Sequence, residues 1–191
     1  MSLLSDILTF NKEFVANQAY LPYQTESKFP EKNVVMVTCM DARLVELSQK
    51  SLNLSNGDVK VIKNAGAVIS HPFGSVMRSL IVAVYELKAD EIIIMGHKDC
   101  GMSQVDTTSI AQHMIERGVS EKDLKMLQYA GVNLDSWLNG FEDVFESVSH
   151  DVSMVQNHPL LPKDVPVHGL VINPETGALS LVVDGYETLK G

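Results

Sequence analysis

The chain opens on an apolar stripe at helical spacing. Leu3, Ile7, Phe10 and Phe14 recur every three to four residues, and Leu4, Leu8 and Val15 widen the stripe. That period predicts an amphipathic helix with one face to bury, ending before Pro22. Polar, proline-punctuated residues 21–32 then read as a surface linker. Three apolar, β-branched runs follow, at Val34–Thr38, Val59–Ile62 and Glu91–Met95. Their hydrophobicity is continuous rather than alternating, as in parallel strands buried on both faces. Leu44, Leu47, Leu52 and Leu54 give the first intervening stretch an apolar helical face, closed by Asn56-Gly57. Residues 72–87 read as a second intervening helix with Pro72 in its first turn. The long stretch 103–156 is helical in character, with breaks near Gly118, Gly131 and Gly140. A fourth strand over Val165–Ile172, a turn at Asn173–Gly177 and a fifth strand over Leu179–Val183 complete the chain, the last two antiparallel. No repeat or low-complexity segment interrupts this order. The alternation predicts a single α/β domain over residues 1–191, with a central mostly parallel β-sheet, an antiparallel extension and flanking helices. Residues 1–20 form its N-terminal helix, whose wide stripe beyond a polar linker suits packing on a neighbouring subunit.

Composition narrows the class. The 191 residues suffice for one sizeable core, and 45% hydrophobic with 20% charged residues is ordinary for a soluble globular protein. A net charge of −9 disfavours nucleic acid as a partner, because phosphate binding needs a basic face. No apolar run approaches the roughly 20 residues of a membrane span. The first ten residues carry Asp6 and no basic cluster, so a secretory signal is not expected and a cytoplasmic location is. In a reducing compartment, two cysteines point to metal binding more than to a disulfide.

Those two cysteines carry the chemistry. Cys39 stands in Cys39-Met40-Asp41-Ala42-Arg43 and Cys100 in His97-Lys98-Asp99-Cys100-Gly101. Each motif leaves the carboxyl end of a predicted strand, where open α/β sheets place their ligands. Two thiolates and one imidazole make a three-ligand zinc set whose fourth position is free for water, the pattern of a catalytic site. The thiolates cancel the charge of the ion, so a bound water needs help to ionise. Asp41 is placed to accept a hydrogen bond from zinc-bound hydroxide, and Arg43 to hold Asp41 bidentately. Asp41 could instead take the fourth position and close the site. Three plainer readings stand beside these: cysteines as small hydrophobes, a structural zinc with Asp41 as permanent ligand, and Asp41–Arg43 as a surface ion pair.

Other residues add little. His71 and His158 precede prolines and read as surface residues, while His168 lies in a strand pattern and reads as a hydrogen-bonded core histidine. His113 and His150 sit on helical stretches, where either could shuttle protons. Asn64-Ala65-Gly66 lacks the glycines and lysine of a nucleotide loop and reads as a close backbone approach to a cleft.

Taken together, Thr38-Cys39-Met40-Asp41-Ala42-Arg43, Lys63-Asn64-Ala65-Gly66 and Gly96-His97-Lys98-Asp99-Cys100-Gly101-Met102 resemble the β-class carbonic anhydrases. Val167-His168-Gly169-Leu170-Val171-Ile172 and the turn through Gly177 extend the likeness, which covers roughly residues 30–185 of a chain as short as the family's compact branch. The resemblance implies one Zn²⁺ per chain on Cys39, His97 and Cys100 and a catalytic Asp41–Arg43 dyad. It implies reversible hydration of carbon dioxide to bicarbonate and a proton by attack of zinc-bound hydroxide. It also implies a homodimer, or a dimer of dimers, that exchanges N-terminal helices and places the cleft at the subunit interface. By position, Met40, Lys60, Ala65 and Gly101 would border the substrate pocket. Some relatives of this fold hydrolyse carbon disulfide or carbonyl sulfide, and a non-catalytic zinc-stabilised interaction protein is a further alternative. Two departures stand out. Lys98 replaces a frequent threonine. The only tryptophan, Trp137, is far from Cys39, so the tryptophan-dependent regulatory bicarbonate site of some members is expected to be absent.

Overall fold

The computed structural model describes residues 2–190. Five strands, β1 (Val34–Cys39), β2 (Val59–Asn64), β3 (Glu91–His97), β4 (Val167–Ile172) and β5 (Leu179–Val183), form one sheet in the order β2-β1-β3-β4-β5. The first four are parallel and β5 runs antiparallel to β4. The expected α/β architecture is therefore present. β1 is buried at every position, which accounts for its unbroken hydrophobic run.

Helix α1 (Leu3–Ala16) precedes the sheet, α2 (Leu44–Lys50) links β1 to β2, and α3 (Ser75–Glu86) links β2 to β3. Four helices, α4 (Thr107–Glu116), α5 (Glu121–Tyr129), α6 (Leu134–Leu138) and α7 (Val144–Gln156), lie between β3 and β4, and α8 (Gly185–Thr188) ends the fold. Two apolar clusters cover the two faces of the sheet. Met77, Leu80 and Ala83 of α3 and Val148, Val152 and Val155 of α7 pack on Val35, Val37, Ile92 and Ile94. Leu44 of α2 packs on Met36, Met95 and Ile172 across the other face. Each of these large side chains contributes about 1.5–3 kcal/mol when fully buried. Side chains alternate along β1, so Val35 and Val37 serve one cluster and Met36 the other.

The boundaries differ from the sequence reading where local polar groups intervene. The helix expected from Pro72 starts at Ser75, because the Gly74 amide bonds the His71 carbonyl and the Phe73 amide bonds His71 Nδ1, a turn that holds residues 71–74 outside it. The helix expected to run to Asn56-Gly57 stops at Lys50. Asn53 takes a left-handed φ of 53°, and the Leu54 amide returns to the Gln49 carbonyl. β4 begins at Val167 rather than Val165, after a proline that has no amide to donate. Gly118 and Gly131, at φ 99° and 86°, separate α4, α5 and α6 where breaks were expected. The short α8 had no sequence expectation. His158 is buried rather than superficial, its Nε2 donating to the Pro72 carbonyl and its Nδ1 accepting from the Leu160 amide.

Candidate metal centre

The chain crosses from β1 to β2 on one side and then passes back over β1 to reach β3. The carboxyl ends of β1 and β3 are therefore adjacent at the point where strand order reverses, the ligand-binding crevice of an open α/β sheet. Cys39 is the last residue of β1 and His97 the last of β3, one and two residues further along their strands than the hydrophobic runs indicated. Parallel pairing of Thr38 with Met95 brings the two loops together.

Cys39, His97 and Cys100 are all buried, and their ligand atoms lie within 4.8 Å of one another. The two sulfurs are 3.9 Å apart. His97 Nδ1 is 2.8 Å from the Lys98 carbonyl, and a carbonyl can only accept, so Nδ1 carries the proton. That tautomer leaves a bare lone pair on Nε2, which is buried and has no hydrogen-bond partner. An orphaned imidazole nitrogen between two thiols costs free energy unless something binds there. Soft sulfur with imidazole is a donor set for Zn²⁺, so these residues fit the metal the motifs implied.

The surrounding backbone supports negative charge. The backbone amides of Asp41 and Gly66 lower the Cys39 pKa, and that of Met102 opposes the rise at Cys100. Gly66 stands at φ 75°, with Met102 side-chain carbons 2.9–3.0 Å from where a Cβ would stand. The Cys100 thiol, donating to Cys39, lowers the Cys39 pKa to about 4 and leaves its own raised. Burial opposes charge on His97, but the adjoining Cys39 thiolate and the Lys98 carbonyl leave its pKa raised.

Asp41 and Arg43 form the second part of the site. Arg43 Nη2 donates to Asp41 Oδ2 at 2.8 Å, Nε to Oδ1 at 3.1 Å, and the Arg43 amide to Oδ1 at 2.8 Å. These bonds hold the Asp41 carboxyl down at about 2, so it is ionised at any physiological pH. Oδ2 lies 3.8 Å from His97 Nε2, on the side where a metal would sit.

Of the expected pocket residues, Met40 and Gly101 directly follow Cys39 and Cys100, and Ala65 follows Asn64, the sheet partner of Cys39. The Met40 side chain is exposed, its amide donating to the Asn64 carbonyl. A Cβ on Gly101 would meet nothing within 4 Å. Lys60 is not brought to the group. It pairs with Val35, four residues before Cys39 and so about 13 Å down the sheet, and its Nζ donates to the Lys28 carbonyl. Two contacts escaped sequence reasoning. Lys63 Nζ donates to the Leu44 carbonyl at the start of α2. Asp99 receives Arg43 through both its carboxylate and its carbonyl. Only its place between two ligands could have drawn attention to Asp99.

Comparison with known proteins agrees with this geometry. The carbonic anhydrase family model matches residues 34–179. YvdA of Bacillus subtilis (strain 168), provisionally named a carbonic anhydrase, is 57% identical over 188 residues, 98% of this chain and 95% of that one. The crystal structure of β-carbonic anhydrase isoform I from Trichomonas vaginalis superposes with a TM-score of 0.88 at 34% identity, covering 97% of this chain and all of that one. A carbon disulfide hydrolase of Acidithiobacillus thiooxidans is 30% identical over 147 residues, 74% of this chain and 72% of that one. With the family's fold, its matched span and a cysteine–histidine–cysteine cluster at the reversal of strand order, the chain belongs to the β-carbonic anhydrase family.

Proposed function

We propose that the chain holds one Zn²⁺ on Cys39, His97 and Cys100 and catalyses the reversible hydration of carbon dioxide to bicarbonate and a proton. The observation that carries this reading is the buried His97 Nε2, without a hydrogen-bond partner, in a cluster whose ligand atoms lie within 4.8 Å of one another and beside an ionised Asp41. Zinc, when bound, supplies a Lewis acid that makes a nucleophile of water near neutral pH. The chain's own residues do the rest. The amides of Asp41, Gly66 and Met102 stabilise the thiolates. Asp41, kept ionised by Arg43, accepts the proton-bearing edge of the attacking water and turns its lone pair toward the substrate carbon. Met40, Ala65 and Gly101 form the rim of a pocket for a small linear molecule.

Hydrolysis of carbon disulfide or carbonyl sulfide is the second reading, motivated by the 30% identical hydrolase. The 57% identity to YvdA, and the likeness of nearly the whole chain to the Trichomonas vaginalis enzyme against 74% of it to the hydrolase, favour carbon dioxide. Stopped-flow hydration by zinc-loaded protein, with carbon disulfide and carbonyl sulfide run in parallel, tests both. Turnover of carbon disulfide or carbonyl sulfide alone would favour the second reading, and turnover of none of the three above that of metal-free protein would overturn the enzymatic reading and leave a zinc-stabilised interaction protein.

The reading includes self-association as a homodimer or dimer of dimers. No residue of α1 is buried, and Leu3, Leu4, Ile7, Leu8 and Phe10 each expose more than half their surface. A stripe of that size suits a second copy of the chain. A cytoplasmic setting suits the free thiols of Cys39 and Cys100. Among the described residues, no helix is long and apolar enough to cross a membrane.

A further inference from the structure

We propose that Asp99 is a positioning residue, a second carboxylate that fixes the Arg43 guanidinium so that Arg43 can hold Asp41 in its hydrogen-bonding pose. The proposal rests on the Asp41–Arg43 reading above and extends it to the other ligand loop.

Arg43 uses two edges of its guanidinium. One edge meets Asp41, through Nε and Nη2. The other meets Asp99, with Nη1 2.9 Å from Oδ2 and Nη2 2.9 Å from the backbone carbonyl. Asp41 and Arg43 lie on the loop after β1, whereas Asp99 lies between His97 and Cys100 on the loop after β3. One guanidinium therefore ties together the two segments that carry all three metal ligands. Without the Asp99 carboxylate, Arg43 would keep only Asp41, two residues away, and a single Nη2 bond to the backbone carbonyl of residue 99. A pair so local can swing as a unit, because the arginine side chain has about 2 kcal/mol of rotamer entropy to regain. Asp99 gives the clamp a fixed end. Its backbone is held on the upstream side by the Lys98 amide, which donates to the Ile172 carbonyl of β4, and by His97 Nδ1 on the Lys98 carbonyl.

Two plainer explanations can be separated from this one. The Asp99 side chain is 77% exposed, and an exposed ion pair contributes about 0–1 kcal/mol to stability, so the role of the contact is orientation rather than folding. Asp99 also has φ 53°, a left-handed conformation that aspartate and asparagine tolerate well, so the residue could be there for its backbone alone. Glycine satisfies that conformation and removes the carboxylate. Asparagine satisfies it and keeps an acceptor for Nη1.

The experiment compares Asp99→Gly, Asp99→Asn and Arg43→Ala with wild type. In metal-free protein, nitrogen-detected NMR of the Arg43 Nε–H should show exchange with water accelerated about tenfold in Asp99→Gly and near wild type in Asp99→Asn. In zinc-loaded protein, Asp99→Gly should lower kcat for hydration about tenfold with KM within about twofold, and Asp99→Asn should recover most of it. Zinc content and Tm should not move. Unchanged Arg43 exchange and unchanged kcat in Asp99→Gly would overturn the proposal, as would an Asp99→Asn variant no better than Asp99→Gly. Arg43→Ala separates the two levels. Undiminished hydration in that variant contradicts the dyad itself, whereas an impaired Arg43→Ala beside an unaffected Asp99→Gly overturns the role of Asp99 alone.

Discussion

The sulfurs of Cys39 and Cys100 stand 3.9 Å apart although 61 residues separate them in sequence. At that distance, without metal, the two share a proton: Cys39 ionises readily while Cys100 keeps its hydrogen. A divalent ion held by Cys39, His97 and Cys100 would displace that proton and give His97 Nε2 a partner. Zinc binding to the metal-free protein at pH 7 should therefore release about one to two protons per ion, measurable by pH-stat titration. Elemental analysis should find one zinc per chain in wild type and severe loss in Cys39→Ser and Cys100→Ser. Full retention in both serine variants would refute the ligand assignment.

Asp41 is expected to act on turnover rather than on metal affinity. Asp41→Asn should lower kcat about a hundredfold with zinc still bound, since the Arg43 donors would claim the one amide oxygen and leave an NH2 group, which cannot accept a hydrogen bond, facing the water. Arg43 lowers the Asp41 pKa to about 2, so the carboxylate stays charged throughout pH 5–9 and its own titration cannot shape the rate there. A rise of activity with pH in that window would come either from ionisation of a zinc-bound water or from competition between Asp41 and water for the fourth zinc position. Zinc-edge X-ray absorption at low and high pH reads that competition directly. A water ligand at both extremes would eliminate the switch, and a carboxylate at both would make the zinc structural.

What the sequence made legible was whatever short-range pattern encodes. The runs at Val34–Thr38 and Glu91–Met95 identified buried strands, and the motifs following them marked the ligands. The convergence of Cys39 with His97 was only permitted by the sequence; the pairing of Thr38 with Met95 and the reversal of strand order supply it. Lys60 was misplaced for a related reason. Motif order says which strand a residue occupies, whereas distance from the site depends on how far along that strand it lies, about 3.3 Å per residue. His158 was misjudged because His-Pro reads as a loop, while its burial depends on Phe73 and Pro72 arriving from 85 residues or more upstream. The Arg43–Asp99 contact likewise joins partners 56 residues apart, beyond any helical or strand period.

Removing residues 1–20 tests the role of α1. Its apolar stripe lies in water in an isolated chain, an arrangement stable only if another surface covers it. The truncated protein should aggregate or unfold at lower temperature than the full chain, and light scattering of the full chain should give a dimer or larger. A truncated protein that remains a well-folded, active monomer would show that no subunit exchange is needed.

The last prediction concerns Asp151, which α7 buries to 3% exposure against the segment following β2. Burial raises its carboxyl to about 6, outweighing the Ile69 amide that donates to Oδ2 at 2.9 Å. The folded state therefore holds this proton more tightly than the unfolded state, whose value is near 3.8. The contribution to stability is fully present below about pH 4 and is lost as pH rises through about 6, amounting to about 3 kcal/mol in all. Between pH 5 and pH 8 the loss is about 1.4 kcal/mol. Asparagine cannot ionise and still offers Ile69 an acceptor. Asp151→Asn should thus gain on wild type by about 1.4 kcal/mol between those pH values, measured by urea unfolding of the zinc-loaded proteins. The difference between the two proteins, rather than either curve alone, isolates this group from every other titration they share. A pH-independent difference would show that Asp151 keeps an ordinary carboxyl. A difference growing in the opposite direction would show that the ionised form is the one the fold prefers.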